Sequence, residues 1–256
     1  MKIDLLKQKL VDGLKCYCQQ NDFTDVVLGL SGGLDSAVVL ALACEALGSQ
    51  HVHTLMMTTK YTSVESVTLA QEAAMQNGVH HQVLDIQPVV DGLMKILPFI
   101  PKNPVVEQNV QARARGMIAM AYSNEYRWLL LACGNKSELS MGYCTLYGDM
   151  CGGILPLGDV YKTDVYRLAE YYNLEGRFYV PTDIIKRPPT AELAPEQKDT
   201  DSLPPYEVLD DILKNYIERD MIVPDKQQEQ VYAVKCQYHK MAFKRLQAPH
   251  VIRVSF

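Results

Sequence analysis

The apolar run Val26-Val27-Leu28-Gly29-Leu30 leads directly into Ser31-Gly32-Gly33-Leu34-Asp35-Ser36, and that loop leads directly into Ala37-Val38-Val39-Leu40-Ala41-Leu42-Ala43. A strand, a glycine turn and a helix start follow one another without a spacer. The free N–H groups at a helix N-terminus, together with the aligned peptide dipoles, form an anion site, and phosphate is its obvious guest. Gly32 and Gly33 let the backbone come close to an anion and adopt positive φ, while Ser31 and Ser36 add hydroxyl donors. Asp35 does not suit a bare phosphate cradle. A carboxylate there repels the ligand unless a cation lies between them, so its presence argues for a bound magnesium ion. The loop therefore reads as a site for a nucleotide with its metal. It is not a Walker A loop, because no Gly-Lys-Ser/Thr follows, and the Gly-x-Gly-x-x-Gly dinucleotide fingerprint is absent. The competing reading is an ordinary glycine turn between strand and helix.

Strand and helix continue to alternate downstream. Residues 5–18 carry Leu5, Leu6, Leu10, Leu14 and Tyr17 near helical spacing, which predicts an amphipathic helix ahead of the first strand. Further strands are predicted at 51–57, 79–85 and 128–133, and a helix at 62–77 closed by Gly78. A long helix at 109–126 follows a proline-punctuated connection at 98–104. Such alternation implies a three-layer α/β/α fold with a central parallel sheet covered on both faces. Ligands bind these sheets beyond the carboxyl ends of the strands, at the topological switch point, and the 31–36 loop sits at such an end. Residues 181–205 break the pattern, with Pro188-Pro189, Pro195 and Pro204-Pro205 among many charges. They read as a mobile lid, with a passive surface loop as the alternative.

A chain of 256 residues fits one large domain or two small ones, and one is favoured. The net charge of −5 leaves no electrostatic footprint for a polyanion, which disfavours nucleic acid as a partner. The N-terminus lacks a signal-peptide core and no apolar run approaches a membrane span, so a cytoplasmic, soluble protein is expected. Seven cysteines form no Cys-x-x-Cys pair and are odd in number, which reads as reduced thiols; His51, His53, His80 and His81 lack zinc-ligand spacing.

Three further stretches carry chemistry. Leu129-Leu130-Leu131-Ala132-Cys133-Gly134-Asn135-Lys136-Ser137-Glu138 repeats the opening logic of an apolar strand running into a polar turn. Its end falls on the same sheet edge, so Glu138 can meet Asp35 across a shared magnesium; alone, Glu138 reads as a first-turn helix acid. Residues 142–153 alternate glycines with aromatics, a pattern that suits stacking of a flat ring or a tight turn packed on the core. Lys162 lies near a helix start, where it opposes the dipole, and a phosphate partner explains it better than local stability does. Arg113 and Arg115 read as solvated helix residues, one of which can clamp a second phosphate.

These residues together carry a resemblance. The chain resembles the NAD synthetase family of ATP pyrophosphatases over nearly its whole length. The likeness rests on Ser31-Gly32-Gly33-Leu34-Asp35-Ser36, Gln111-Ala112-Arg113-Ala114-Arg115, Gly134-Asn135-Lys136-Ser137-Glu138, Tyr147-Gly148-Asp149, Pro189-Thr190-Ala191-Glu192-Leu193 and Phe243-Lys244-Arg245. It implies an adenine nucleotide alpha hydrolase-like, Rossmann-like fold in a single synthetase domain with its lid at about 181–205. It further implies that Gly29, Leu30, Ser31, Gly32, Gly33, Leu34, Asp35, Ser36, Cys133, Lys162 and Thr190 bind ATP, and that Asp35 and Glu138 bind magnesium. Arg113, Glu138 and Lys244 would contact the pyridine dinucleotide, and a homodimer is implied, with the dinucleotide near the subunit interface.

The chain departs from the family at several positions. Cys133 stands where the family often has Thr, Leu146 replaces a substrate-binding Lys of the stand-alone, ammonia-using members, and Gly153 replaces a substrate-binding Asp. Residues 145–153 and 198–206 look instead like the synthetase half of glutamine-dependent members, whose amidase domain has no room in the thirty or so residues ahead of the loop. The expected activity is amidation of deamido-NAD (nicotinic acid adenine dinucleotide) with ATP and ammonia, through an acyl-adenylate, with a separate glutamine amidase as an optional partner. Lys162 would stabilise phosphate charge and Asp149 would take a proton from the incoming ammonia. The alternatives are amidation of nicotinic acid mononucleotide, another ATP-pyrophosphatase amidotransferase or thiolase of the same loop class, and a non-catalytic nucleotide-binding regulator.

Overall fold

The computed structural model describes residues 1–195, 197–218 and 228–254. Six strands form one parallel sheet: β1 (Val26–Gly29), β2 (Val52–Thr58), β3 (His80–Asp85), β4 (Leu129–Leu131), β5 (Ile154–Leu155) and β6 (His250–Val251), in the order β3-β2-β1-β4-β5-β6. Val26 lies opposite Val52 on one side and Leu129 on the other. The two central strands, β1 and β4, carry no polar side chain because both faces are covered. Val26, Leu28, Val52, Met56, Leu129 and Leu131 point into one core, whereas Val27, Leu55, Met57 and Leu130 point into another. That alternation is the two-residue period of a strand buried twice.

The first core is filled by α1 (Ile3–Gln20), α2 (Leu34–Leu47) and α7 (Lys162–Glu175), with α3 (Val64–Gln76) beside them. The second lies under α4 (Gln87–Ile96) and α5 (Val105–Tyr126). Short α6 (Lys136–Met141) follows β4, and α8 (Thr182–Lys186) follows α7. A third apolar cluster joins Met141 and Tyr161 to Tyr206, Leu209, Ile212, Leu213, Val231 and Val234, on α9 (Tyr206–Ile217) and α10 (Gln228–Lys240). A last turn, α11 (Ala242–Arg245), precedes β6.

The predicted three-layer α/β/α fold is present, with some differences from the sequence reading. The long helix starts at Val105 rather than 109, α4 fills a stretch given no element, and β5 and β6 were not anticipated because two-residue strands leave no periodicity to read. Residues 181–205 are not devoid of structure. They contain α8 and a single 3-10 turn at Asp199–Asp201; residue 196 of that stretch lies outside the described residues. All seven cysteines are free thiols, in line with the reduced state expected.

The chain runs outward from β1 to β2 and β3, then returns to place β4 on the other side of β1. The connections leaving β1 and β4 therefore diverge, and the crevice between their carboxyl ends is the switch point of the sheet.

Candidate functional site

The loop after β1 is shaped by one obligatory glycine. Gly32 has φ +77°, and a Cβ there would stand 2.3 Å from the Ser66 carbonyl oxygen, so any side chain would collide with the backbone of α3. Gly33 does not share this conformation: at φ −99° it is extended, contrary to the expectation of positive φ at both glycines. No side chain caps α2. The Ser36 hydroxyl donates to the Gly33 carbonyl at 2.9 Å and meets the Ser31 hydroxyl at 3.1 Å, while Ser31 Oγ accepts the Gly33 N–H at 3.2 Å. The two serines thus brace the loop and leave the first amides of α2 to receive an anion.

Across the crevice, Asn135 caps α6 by accepting the Glu138 N–H at 3.0 Å, and its side-chain amide donates to Asp35 Oδ1 at 3.0 Å. Lys162, the first residue of α7, pairs with Asp35 Oδ2 and, at 3.2 Å, with Glu138 Oε1. The Lys162 side chain is 3% exposed, against 17% for Asp35 and 16% for Glu138. Sequence reasoning placed these three residues at one site, and they meet there. Burial opposes the charge of Lys162, but Asp35 and Glu138 outweigh it and raise its pKa, so the ammonium stays protonated. Burial pushes the Glu138 carboxyl up while Lys162 pulls it back. Lys162 is held in register from behind. Its backbone N–H donates to Ser137 Oγ at 2.9 Å, and the Asp210 carboxylate of α9 accepts from both Ser137 Oγ and the Thr163 N–H.

Asp199 belongs to the same cluster and was missed as a site residue. It is buried, its Oδ2 accepts from the Tyr206 hydroxyl at 2.8 Å, and its Oδ1 makes no hydrogen bond of ordinary length, the nearby Tyr143 hydroxyl being the group that faces it and helps to lower its pKa. Burial pushes its pKa up, Lys162 lowers it and Asp35 raises it. The sequence signals were its place in a proline-flanked segment and in the 198–206 stretch that resembles glutamine-dependent members, neither of which reveals burial. Asp35, Glu138 and Asp199 outnumber the single ammonium of Lys162, and burial pushes the Glu138 carboxyl up to about 8, so the crevice holds more carboxyl groups than its one ammonium keeps ionised. Among the described residues no group of three or more His, Cys, Asp or Glu is preformed around a metal. The paired carboxylates are nonetheless hard oxygen donors of the kind magnesium takes alongside phosphate oxygens, and the Asp199 oxygen without a hydrogen bond of ordinary length marks a deficit of positive charge. Asp35 and Glu138 fit that ion.

The remaining candidates make other contacts, several of them on the 142–149 stretch. Cys133 directs its thiol at the Gly29 and Leu131 carbonyls, each 3.9 Å away, and burial together with Asp35 and Glu138 pushes its pKa up, so it serves as a neutral donor. Thr190 donates to the Gln197 carbonyl and accepts the Glu192 N–H at 3.2 Å. Asp149 accepts the Thr145 N–H at 2.6 Å and closes the 145–149 turn. Lys244 donates to the Gly142 and Cys144 carbonyls at 2.7 and 2.6 Å, and Arg113 Nε donates to the Leu146 carbonyl at 3.2 Å. Arg113 and Lys244 thus clamp the glycine-aromatic stretch from two sides. That stretch is a tight turn packed on α5, where a Cβ on Gly116 would stand 2.9 Å from the Gly148 carbonyl oxygen. Arg113 also edges an apolar hollow of about 250 Å³ lined by Leu93, Met117, Met120, Tyr147 and Cys151. A larger hollow of about 560 Å³, around Asp25 and Arg127, lies at the amino ends of the strands and contains none of the predicted residues.

The sequence of residues 6–248 matches the family model for NAD synthase. The chain belongs to the NAD synthase family. The glutamine-dependent NAD(+) synthetase of Acinetobacter baylyi is 50% identical over 222 residues, covering 85% of this chain and 41% of that protein. This NAD synthase family member thus spans about two fifths of the length of such relatives. The structure of an NMN synthetase from Francisella tularensis superposes with a TM-score of 0.83 at 29% identity, covering 96% of both chains. An NH3-dependent NAD synthetase from Campylobacter jejuni superposes with a TM-score of 0.73 at 27% identity, covering 95% of this chain and 96% of that one. No helix among the described residues is long and apolar enough to cross a membrane.

Proposed function

We propose that this NAD synthase family member converts deamido-NAD to NAD, consuming ATP and ammonia and releasing AMP and pyrophosphate. The observation that carries this reading is the meeting of the 31–36 loop, Asp35, Glu138 and Lys162 at the switch point of the sheet. A nicotinate carboxylate is a poor electrophile, because its charge repels nucleophiles and its oxygen leaves badly. Its oxygen attacks the α-phosphorus of ATP, the bond to the β-phosphate oxygen breaks, and pyrophosphate leaves. Ammonia then attacks the acyl carbon, AMP departs with the bridging oxygen, and the nitrogen sheds a proton.

The chain's residues have distinct parts in this sequence. The amides at the start of α2 and the Lys162 ammonium stabilise phosphate charge from fixed positions, with no reorganisation needed as the charge moves. Asp35 and Glu138 would hold magnesium, which supplies charge neutralisation to the phosphates when bound. Cys133 and Thr190 border the nucleotide, and Arg113 and Lys244 shape the wall against which the dinucleotide lies. Asp149 receives the proton shed by ammonia. Residues 181–205 act as the lid that keeps water from the adenylate. The reading takes the chain as a single cytoplasmic synthetase domain that works as a homodimer, and the exposed Ile96, Phe99, Ile100, Met117 and Met120 on and between α4 and α5 supply the apolar surface for the second copy.

The near-complete overlap with the NH3-dependent Campylobacter jejuni enzyme supports ammonia as the nitrogen source, from solution or from a separate amidase. A second reading, amidation of nicotinic acid mononucleotide, is favoured by the Francisella tularensis NMN synthetase likeness. The test is purified protein with ATP, magnesium and each acid, supplied with ammonium or glutamine, following amide, AMP and pyrophosphate. NAD from ammonium is expected; faster turnover of the mononucleotide favours the second reading. Absence of pyrophosphate with either acid would overturn both.

A further inference from the structure

Among the described residues, Glu192 is one of four non-glycine residues with positive φ, at +48°, and it sits in the segment that also carries Thr190. Such a conformation is unfavourable for any residue with a Cβ and persists only where the surroundings over-determine it. Here they do so through the carboxylate. Glu192 Oε1 accepts from Ser63 Oγ at 2.8 Å and from the Arg187 guanidinium at 2.6 Å. Ser63 is the N-cap of α3, its Oγ also accepting the Ser66 N–H at 3.1 Å, and Arg187 reaches the Ser66 hydroxyl with its other nitrogen at 2.5 Å. Ser66 is the residue whose carbonyl presses on Gly32. A single chain of contacts therefore runs from Glu192 through the first turn of α3 to the phosphate loop.

Two more contacts fix the same segment. Gln111 of α5 is buried, donates to the Leu193 carbonyl at 3.1 Å and accepts from Thr59 Oγ1 at 3.0 Å, which ties the segment to the end of β2. Arg115 donates to the Met57 carbonyl at 3.1 Å; burial pulls its pKa down to about 10, and the Glu192 carboxylate works against that fall. The exposed Glu65 is a weaker competitor for Arg187, at 3.8 Å.

We infer that Glu192 is a positioning residue for the nucleotide end of the site. Its carboxylate latches residues 187–193 onto α3, which sets Thr190 over the crevice and backs Gly32 from behind. A passive loop has no need of a strained glutamate where Gly would adopt the same backbone freely and Asn at lower cost. This inference rests on the proposed ATP-dependent amidation, and its test separates the two.

The variants are E192Q, which keeps the shape and removes the charge, R187Q, and the two combined. Each is measured for KM of ATP, kcat, AMP formed per amide, melting temperature, and amide hydrogen exchange at 190–193 with and without magnesium-ATP. E192Q should raise KM for ATP on the order of tenfold and raise AMP per amide, with the melting temperature nearly kept. The double variant should be no worse than the poorer single one, since both break the same contact. Unchanged KM and coupling in E192Q, a lower melting temperature with KM unaffected, or effects that multiply in the double variant would each overturn the latch. If wild type forms no amide and no pyrophosphate, the function reading fails. The latch is then judged by exchange alone: faster exchange at 190–193 in E192Q than in wild type supports it, and equal exchange overturns it.

Discussion

Helices α2 and α7 lie side by side and carry a lysine-carboxylate cluster at each end, and the two clusters differ in how completely they are satisfied. At the far end, Lys7 of α1 lies between Glu45 and Glu175 at 3.0 and 2.6 Å, and the Tyr172 hydroxyl donates to the other oxygen of Glu45 at 2.9 Å. Those carboxylates stand near helix C-termini, where the dipoles disfavour them, and Lys7 offsets that. At the end facing the crevice, Lys162 meets Asp35 and Glu138, and Asp199 keeps one buried oxygen without a hydrogen bond of ordinary length. The same residue types make a closed brace in one place and an open, carboxyl-rich receptacle in the other. What separates structure from function here is the unsatisfied remainder, not the presence of buried charge.

The comparison can be broken most decisively at the two lysines. Replacing Lys162 by Met should cut pyrophosphate release on the order of a thousandfold, because it removes the fixed positive charge beside the phosphates. Lys7→Met should instead cost about 1–3 kcal/mol of stability, discounted for the exposure of Glu175, and keep the turnover of the folded protein. Equal losses of turnover in the two variants would erase the distinction. A smaller effect is expected at Asp199. Asp199→Asn removes one excess buried carboxyl group and should raise the stability of the ligand-free protein by about 1 kcal/mol while reducing the further gain on adding magnesium-ATP. Thermal melts with and without the nucleotide check this, and a lower ligand-free melting temperature contradicts it.

The smallest effect sharpens the contrast from outside both clusters. His81 is held by the Thr54 hydroxyl at 2.8 Å, its Nε2 is buried without a partner, and burial lowers its pKa below the usual 6.5. In the unfolded chain it takes up a proton as pH falls through about 6.5, whereas in the folded protein it stays neutral. The unfolded state then binds more protons, so stability should decline from about pH 6.5 down towards the folded pKa. A His81→Gln variant should show a flatter dependence of melting temperature on pH across that window; an identical slope assigns the loss to other groups.

The parts of the fold that were legible from sequence are those set by neighbours along the chain. The strand, glycine loop and helix at 26–43, the two-faced burial of β1, β2 and β4, and the placement of Asp35 and Glu138 at strand ends all follow from local pattern and from the rule that parallel strands share an edge. Pairings between distant residues were not legible. Glu192 reaches Ser63 across 129 positions, and Lys162, expected at the same site as Asp35 but against phosphate, pairs with that carboxylate directly across 127; no periodicity encodes either contact. The burial of Asp199 and the role of Asp210 depend on α9 folding back onto α6 and α7, a docking driven by scattered apolar residues such as Tyr206, Leu209 and Leu213. By itself the sequence determined a strand, a glycine loop and a helix at the carboxyl edge of a parallel sheet, because backbone geometry and hydrophobic period act within a few residues. Only the tertiary structure decided which charges are left unpaired in the crevice, because desolvation is a property of everything packed around a group.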